Sequence, residues 1–326
     1  MRVRIKTPSR IHITLIDLNG SIGRIDGGVG LTLQNPFVEI VAEEDDEVVV
    51  EGECLNLDRF KTIAKILSDR FGKGIRIEVL SDYKAHVGLG SGTQISLAVA
   101  TAFNEMYGLG FSVRELAHIV ERGGTSGIGV AAFEMGGFIV DGGHSKKEKS
   151  DFLPSSASKA KPAPVIARHE FPDWDIVVAV PDLTGFYGIK EINLFKDVCP
   201  IPLDEVRELC HLILMKLLPA VVEEDLNEFG DAIWRIQHLG FKKAEIDRYG
   251  DLIGDALDYV GNFTKATGMS STGPAIYAVT DSNARCIAKD IELFFEDREI
   301  GCETLITRAK NSGAEIFVDQ DEGRRS

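Results

Sequence analysis

Gly88-Leu-Gly-Ser-Gly-Thr-Gln-Ile-Ser-Leu-Ala98 decides how the rest of the chain is read. Three alternating glycines and their hydroxyl-bearing neighbours run directly into Ile95, Ala98, Val99, Ala102, Phe103 and Met106, the spacing of a helix with one apolar stripe. A glycine-rich turn that opens a helix leaves backbone N–H groups unpaired at the positive end of the helix dipole, which makes an anion site. Gly88, Gly90 and Gly92 allow close approach of the backbone, and Ser91, Thr93 and Gln94 add side-chain donors. The loop lacks a Walker-type lysine, and its third glycine comes too soon for a dinucleotide fingerprint.

Outward from this loop, alternation marks strands at Val3 and Ile5, Ile11 to Leu15, Val29 to Leu33 and Val38 to Val50, with the glycine-rich Gly20–Gly30 as a break. A helix is predicted from Leu57 to Phe71, opened near Asn56 and stopped at Gly72, followed by a strand from Ile75 to Leu80. Ser112 caps a helix reaching about Glu121, Gly123–Gly129 is a second glycine-rich turn, and Gly137 to Val140 is a strand. His144 to Pro164 is rich in Lys, Ser and Pro and reads as a surface excursion near a domain boundary; Glu43–Glu47 and Lys146–Lys149 read as solvated turns. Strands at Trp174–Val180, Ala275–Val279 and Glu303–Thr307, the last, alternate with helices over Leu203–Val260 and Asn283–Phe295. The pattern is α+β: residues 1–164 with the loop, 165–318 with helices against a small antiparallel sheet, and a frayed tail, 319–326.

The 326 residues carry 36 Lys and Arg against 51 Asp and Glu, a net charge of −15 that argues against a nucleic-acid partner. No apolar stretch approaches the roughly 18 residues of a membrane span. Met1–Lys6 reads as a first strand and has no signal-peptide core. Five scattered cysteines without a Cys-x-x-Cys pair fit a reducing, cytoplasmic setting. The apolar helical second half is compatible with a homodimer. An anionic substrate entering so acidic a protein must meet local cations, metal or backbone amides.

Three segments together carry a family likeness. Gly88–Ala98 resembles the phosphate loop of the GHMP kinases (galacto-, homoserine, mevalonate and phosphomevalonate kinases), Pro8-Ser-Arg-Ile-His-Ile-Thr-Leu15 their N-terminal motif, and Gly268-Met-Ser-Ser-Thr-Gly-Pro-Ala-Ile-Tyr277 their C-terminal glycine-rich loop. The resemblance implies two α+β domains with the active site in the cleft between them. Ser9–Asp17, Arg24–Gly30, Ser126–Phe133, Gly136–Gly143 and Met269–Pro274 further resemble the β-ribofuranosylaminobenzene 5′-phosphate synthase branch of that superfamily. That likeness implies condensation of 5-phosphoribosyl-1-pyrophosphate with p-aminobenzoate or 4-hydroxybenzoate, with loss of pyrophosphate and CO₂, on the route to methanopterin.

The kinase pattern is broken at one position. A Ser-Gly-x-Asp turn in the kinases supplies the Asp that activates the substrate hydroxyl; here Ser126-Gly-Ile-Gly129 ends in glycine, which accepts no proton. Homoserine kinases also lack that Asp, so an ATP-dependent small-molecule kinase stays open as the alternative. From the resemblance, Arg10, His12 and Asp26 are the expected catalytic residues. Gly88, Gly90, Ser91, Gly92, Thr93, Gln94, Ser126 and Gly127 would bind phosphate, and Arg24, Ser270, Ser271, Thr272 and Gly273 would form the substrate loop. Glu121, with Ser91 second, would ligate Mg²⁺. Asp141 and His144 read as turn residues, and His86, His118, His169, His211 and His238 as core or surface.

Overall fold

Strand β1 (Arg2–Asp17) and strand β2 (Arg24–Glu43) form a long antiparallel hairpin in the computed structural model, which describes residues 1–319. Val3, Ile5, Ile11 and Ile13 alternate into the core, as the period-two pattern requires. Along its C-terminal part β2 pairs with β4 (Ile75–Ser81), which pairs with β3 (Val48–Glu51); along its N-terminal part it pairs with β5 (Phe138–Asp141) and the two-residue β6 (His144–Ser145). Strand β7 (Val165–His169) extends the sheet beyond β5. The glycine-rich stretch expected as a break is therefore mostly strand. Its glycines make room: a Cβ on Gly30 would collide with Ile128, and one on Gly28 would lie 2.7 Å from Ser126 Oγ.

Helix α1 (Leu57–Phe71) ends where predicted, on Gly72 in the left-handed region with its N–H on Ser68 O. Helix α2 (Ser91–Tyr107) follows the glycine loop but is buried on nearly every side rather than along one stripe, with thirteen of its seventeen residues inaccessible. Small and hydroxyl-bearing residues such as Ser96, Ala100 and Thr101 let it sit between β1, β2, α1, α3 (Val113–Ile119) and α4 (Ile128–Glu134). A Ser112–Glu115 capping box opens α3. Helix α4 was not foreseen, because its Ile-Gly-Val-Ala-Ala start reads as a continuing turn.

The second half forms a four-stranded antiparallel sheet, ordered β11 (Cys302–Thr307), β8 (Asp175–Pro181), β10 (Ile276–Thr280), β9 (Thr267–Met269). In β8, Val177 and Ala179 face a core shared with α10 (Asp251–Gly261) and α11 (Ala284–Glu296); Ile176 and Val178 face the opposite core with α8 (Leu226–Gln237). Two further helices, α5 (Ile189–Val198), which the sequence pattern missed, and α9 (Gly240–Asp247), lean toward β1. Helix α6 (Leu203–Leu212) passes through a widened π turn, Ile213–Leu217, into α7 (Leu218–Val222).

Residue 164 does not end the first sheet: β7 follows it, and β12 (Glu315–Asp319) returns to pair with β1, Asp319 opposite Arg2. Glu303–Thr307 is thus not the last strand, and Asp319 is paired; residues 320–326 lie outside the described residues. The 144–164 segment runs over the surface as expected, but it is pinned down at several points. His144, Lys149 and Ser158 are buried, and the Lys149 ammonium lies 3.0 Å from Asp26.

Candidate active site

Positive φ at Gly88 (+94°) and Gly90 (+83°) turns the chain into α2 and lays the loop against β1, where the Arg10 N–H reaches Leu89 O at 3.2 Å. The Arg10 guanidinium donates to Gly88 O and packs over Gly90, where a Cβ would lie 3.2 Å from its Nε. From α1, Arg59 covers Gly92; a Cβ there would lie 2.5 Å from its Nη1. Arg122, just past α3, donates from Nε to Ser96 Oγ at 3.3 Å. These three arginines, Ser91, Gly92, Thr93, Ser271 and Thr272 line a lobe of about 200 Å³. Burial, joined at Arg122 by repulsion from Arg59, lowers Arg10 and Arg122 to about 10. All three stay charged at neutral pH. Among the described residues none of them has a carboxylate partner within ion-pair distance.

A second lobe of about 140 Å³ shares Arg10, Thr93, Ser155, Glu191 and Ser271 with the first. Leu15, Phe195 and Phe241 form its apolar wall, the two rings 4.5 Å apart. Its polar side carries His12, Ser126, Glu191 and Glu245. Engineered apolar cavities of about 150 Å³ accept benzene, so the space suits one aromatic ring. Ser126 Oγ donates to Asp141 at 3.3 Å, so His12 Nε2, 3.1 Å away, is the donor to Ser126, and Nδ1 keeps its lone pair. Burial, then Arg10 and Lys242, hold His12 well below its ordinary range, so the ring is neutral. Burial next to Glu245 raises Glu191 to about 7. Burial also raises Asp141 to about 6, although it accepts from Gly127 N at 2.9 Å and Gly143 N at 3.0 Å.

The loop between β9 and β10 closes the cleft floor. Ser270 Oγ accepts from the His12 N–H at 3.0 Å and donates to Gly88 O at 2.7 Å; the Ser271 N–H reaches His12 O at 2.8 Å. Lys242, fully buried and 2.5 Å from Glu245, donates to Ser271 O at 2.7 Å, and Tyr249 donates to Thr272 O at 2.7 Å. The N-terminal motif, the phosphate loop and the C-terminal loop therefore meet at one place through backbone and hydroxyl contacts.

Several expected site residues lie elsewhere. Glu121 is exposed and faces Lys159 at 3.4 Å, because its left-handed backbone (φ +54°) turns it outward while Arg122 turns in. Asp26, expected as catalytic, is sealed between His144 Nδ1 (2.6 Å) and Lys149 and lines neither lobe. Arg24, expected on the substrate loop, donates to Gly142 O and Gly143 O. Gln94 is spent on Gly129 O, and the Gly127 N–H on Asp141, so neither is free to meet phosphate. Ser126 lines the ring lobe instead of the anion lobe. His86, read as core or surface, lines the anion lobe and stacks on Tyr187 at 4.0 Å. Arg59, Arg122, Glu191 and Glu245 were missed. Nothing local distinguishes Arg59 from any charged residue on an amphipathic helix, and nothing in the residues around Arg122 points it inward.

The two residues expected to hold Mg²⁺ do not converge. Among the described residues no three His, Cys, Asp or Glu side chains converge, Glu121 points away, and Ser91 brings one hydroxyl.

Residues 58–137 match the family described as GHMP kinases N terminal domain. A curated β-ribofuranosylphenol 5′-phosphate synthase of Archaeoglobus fulgidus is 60% identical, covering 97% of this chain and 100% of the relative. One from Methanocaldococcus jannaschii is 44% identical, covering 96% and 99%. A crystal structure of homoserine kinase from Cytophaga hutchinsonii superposes with a TM-score of 0.65 at 18% identity, covering 97% of both chains, and so shares the two-domain fold. The chain belongs to the β-ribofuranosylphenol 5′-phosphate synthase family, built on the GHMP kinase fold.

Proposed function

We infer that this protein condenses 5-phosphoribosyl-1-pyrophosphate with a para-substituted benzoate, releasing pyrophosphate and CO₂ and leaving a C-riboside phosphate for methanopterin biosynthesis. The reading rests above all on 60% identity over nearly the full length of a curated synthase. A phenol product points to 4-hydroxybenzoate over 4-aminobenzoate as the aromatic acid, since decarboxylation leaves the para substituent in place. Five cysteines, none bonded, fit a cytoplasmic enzyme.

The geometry supports the chemistry. The C1–O bond to the diphosphate breaks with its electron pair leaving on oxygen, and the sugar gains oxocarbenium character. Positive charge and amide dipoles placed where the leaving charge develops lower that barrier. Arg10, Arg59, Arg122 and the α2 N-terminus occupy such positions. The ring carbon bearing the carboxylate attacks C1; the C–CO₂⁻ bond then breaks, and its electrons restore aromaticity. Phe195, Phe241 and Leu15 hold the ring at the junction where Arg10 is shared, which supplies orientation. Glu191 is the acceptor available to the para-hydroxyl proton while electron density moves to the attacking carbon. No alcohol of the sugar loses a proton. Gly129 is consistent with that: it offers no side chain to act as the kinase base, and a Cβ there would press on Thr93 at 3.2 Å.

The test is release of labelled CO₂ from carboxyl-labelled 4-hydroxybenzoate and 4-aminobenzoate. Release should depend on phosphoribosyl pyrophosphate and proceed without ATP. ADP formation from ATP with no CO₂ would replace this reading with the kinase.

A further inference from the structure

Three unpaired guanidiniums in one lobe are an unusual arrangement for a chain of net charge −15. Most of its other buried or half-buried cations find carboxylates: Lys149 has Asp26 and Lys242 has Glu245, at 3.0 and 2.5 Å. Arg10, Arg59 and Arg122 do not, and mutual repulsion acts between the last two. Like charges held close and partly desolvated destabilise the empty fold, and a bound anion reverses that cost. Guanidinium forks match phosphate oxygens in pairs, unlike the point charge of an ammonium or a metal ion. Among the described residues no three His, Cys, Asp or Glu side chains converge here: the one carboxylate lining the lobe is Glu191, while Glu121 is engaged by Lys159 on the outside.

We propose that this lobe binds the diphosphate group through Arg59, Arg122 and Arg10 together with the α2 N-terminus, and that no protein-held divalent ion takes part in that binding. Each arginine has a fixed bearing. Gly88 O anchors Arg10 and Ser96 Oγ anchors Arg122, while Arg59 lies over Gly92, whose missing side chain gives the guanidinium its place beside the first turn of α2. Arg59 and Arg122 come from elements outside the three motifs, so the recognition is added by the packing of α1 and the α3 exit against the loop. The assignment rests on the synthase reading only in naming a diphosphate as the ligand.

Inorganic pyrophosphate is the probe, titrated calorimetrically into the full chain in buffer with EDTA and again with Mg²⁺. Binding in EDTA is expected. Arg59→Gln and Arg122→Gln should each weaken it at least tenfold, and Arg122→Lys should fall between wild type and Arg122→Gln. Glu121→Gln should change neither titration. Circular dichroism confirms that each variant is folded, and a variant that fails to fold is replaced by its lysine counterpart. Three results would overturn the proposal: no binding in either buffer, binding only with Mg²⁺, or arginine variants that bind like wild type. If pyrophosphate binds in EDTA but no CO₂ is released in the condensation assay, only the synthase reading falls. If condensation proceeds while pyrophosphate requires Mg²⁺ and Glu121, only this proposal does.

Discussion

Glu191 is a lobe-lining residue whose charge changes near neutral pH. It lines both lobes, and burial beside Glu245 raises it to about 7 against the attraction of Arg10. Below that value it is neutral and leaves the arginines' field intact; above it a carboxylate opposes the incoming anion. Anion affinity should therefore fall as pH rises through about 7. Arg10, His12, Lys242 and Glu245 face the same space, yet His12 is held neutral, Arg10 stays charged, and the Lys242–Glu245 pair is closed on itself. Glu191→Gln should match wild-type pyrophosphate affinity near pH 6 and exceed it by roughly tenfold near pH 8. Titration of pyrophosphate itself cancels in the ratio of the two proteins. A ratio that stays constant with pH would assign the dependence to another group.

Among the elements, the segment from β6 to β7 has the least expected role. It walls the cleft with Pro154, Ser155 and Ser156, and it is clasped to β2 through one carboxylate. Asp26 meets His144 at 2.6 Å and Lys149 at 3.0 Å; Lys149 also donates to Thr125 Oγ1 and Leu153 O, and His144 Nε2 contacts Lys161 O. Removing one partner of a buried pair leaves an uncompensated charge and costs about 3–5 kcal/mol. Asp26→Asn should therefore lose stability of that order in urea unfolding. An unchanged midpoint would return Asp26 to the catalytic role its motif suggested. The predicted α1, β4 and α11 stand nearly residue for residue, and α1 stops on Gly72 because a left-handed glycine ends a helix locally. Helices α4 and α5 and strands β9 and β12 escaped prediction: they are short, and their stability comes from what they dock against.

Over the whole molecule, an aromatic cluster joins the two sheets. Phe138 of β5, Phe171, Trp174 and Phe229 of α8 stack at 5.3–6.3 Å between centroids. Phe229 is 1% exposed and touches the other three rings, so Phe229→Ala opens a cavity at the junction. Such truncations cost about 3–5 kcal/mol. Because the cleft is assembled from both halves, the same variant should raise the KM for the aromatic acid along with lowering the unfolding midpoint. A stability loss with unaltered KM would mean that the cluster holds the fold without setting the cleft.

The sequence by itself determined that the chain is α+β, that the Gly88–Gln94 loop opens a helix, and that Gly129 leaves no kinase base. Each is a local property of glycine, hydroxyl and apolar spacing, written in consecutive residues. Only the tertiary structure decided which charges line the cleft. Arg59 and Arg122 turn inward while Glu121 turns outward, and Asp26 is buried against Lys149, because a side chain's direction depends on backbone angles and on neighbours far along the chain. Residue type constrains the chemistry available; packing selects which of those groups converge.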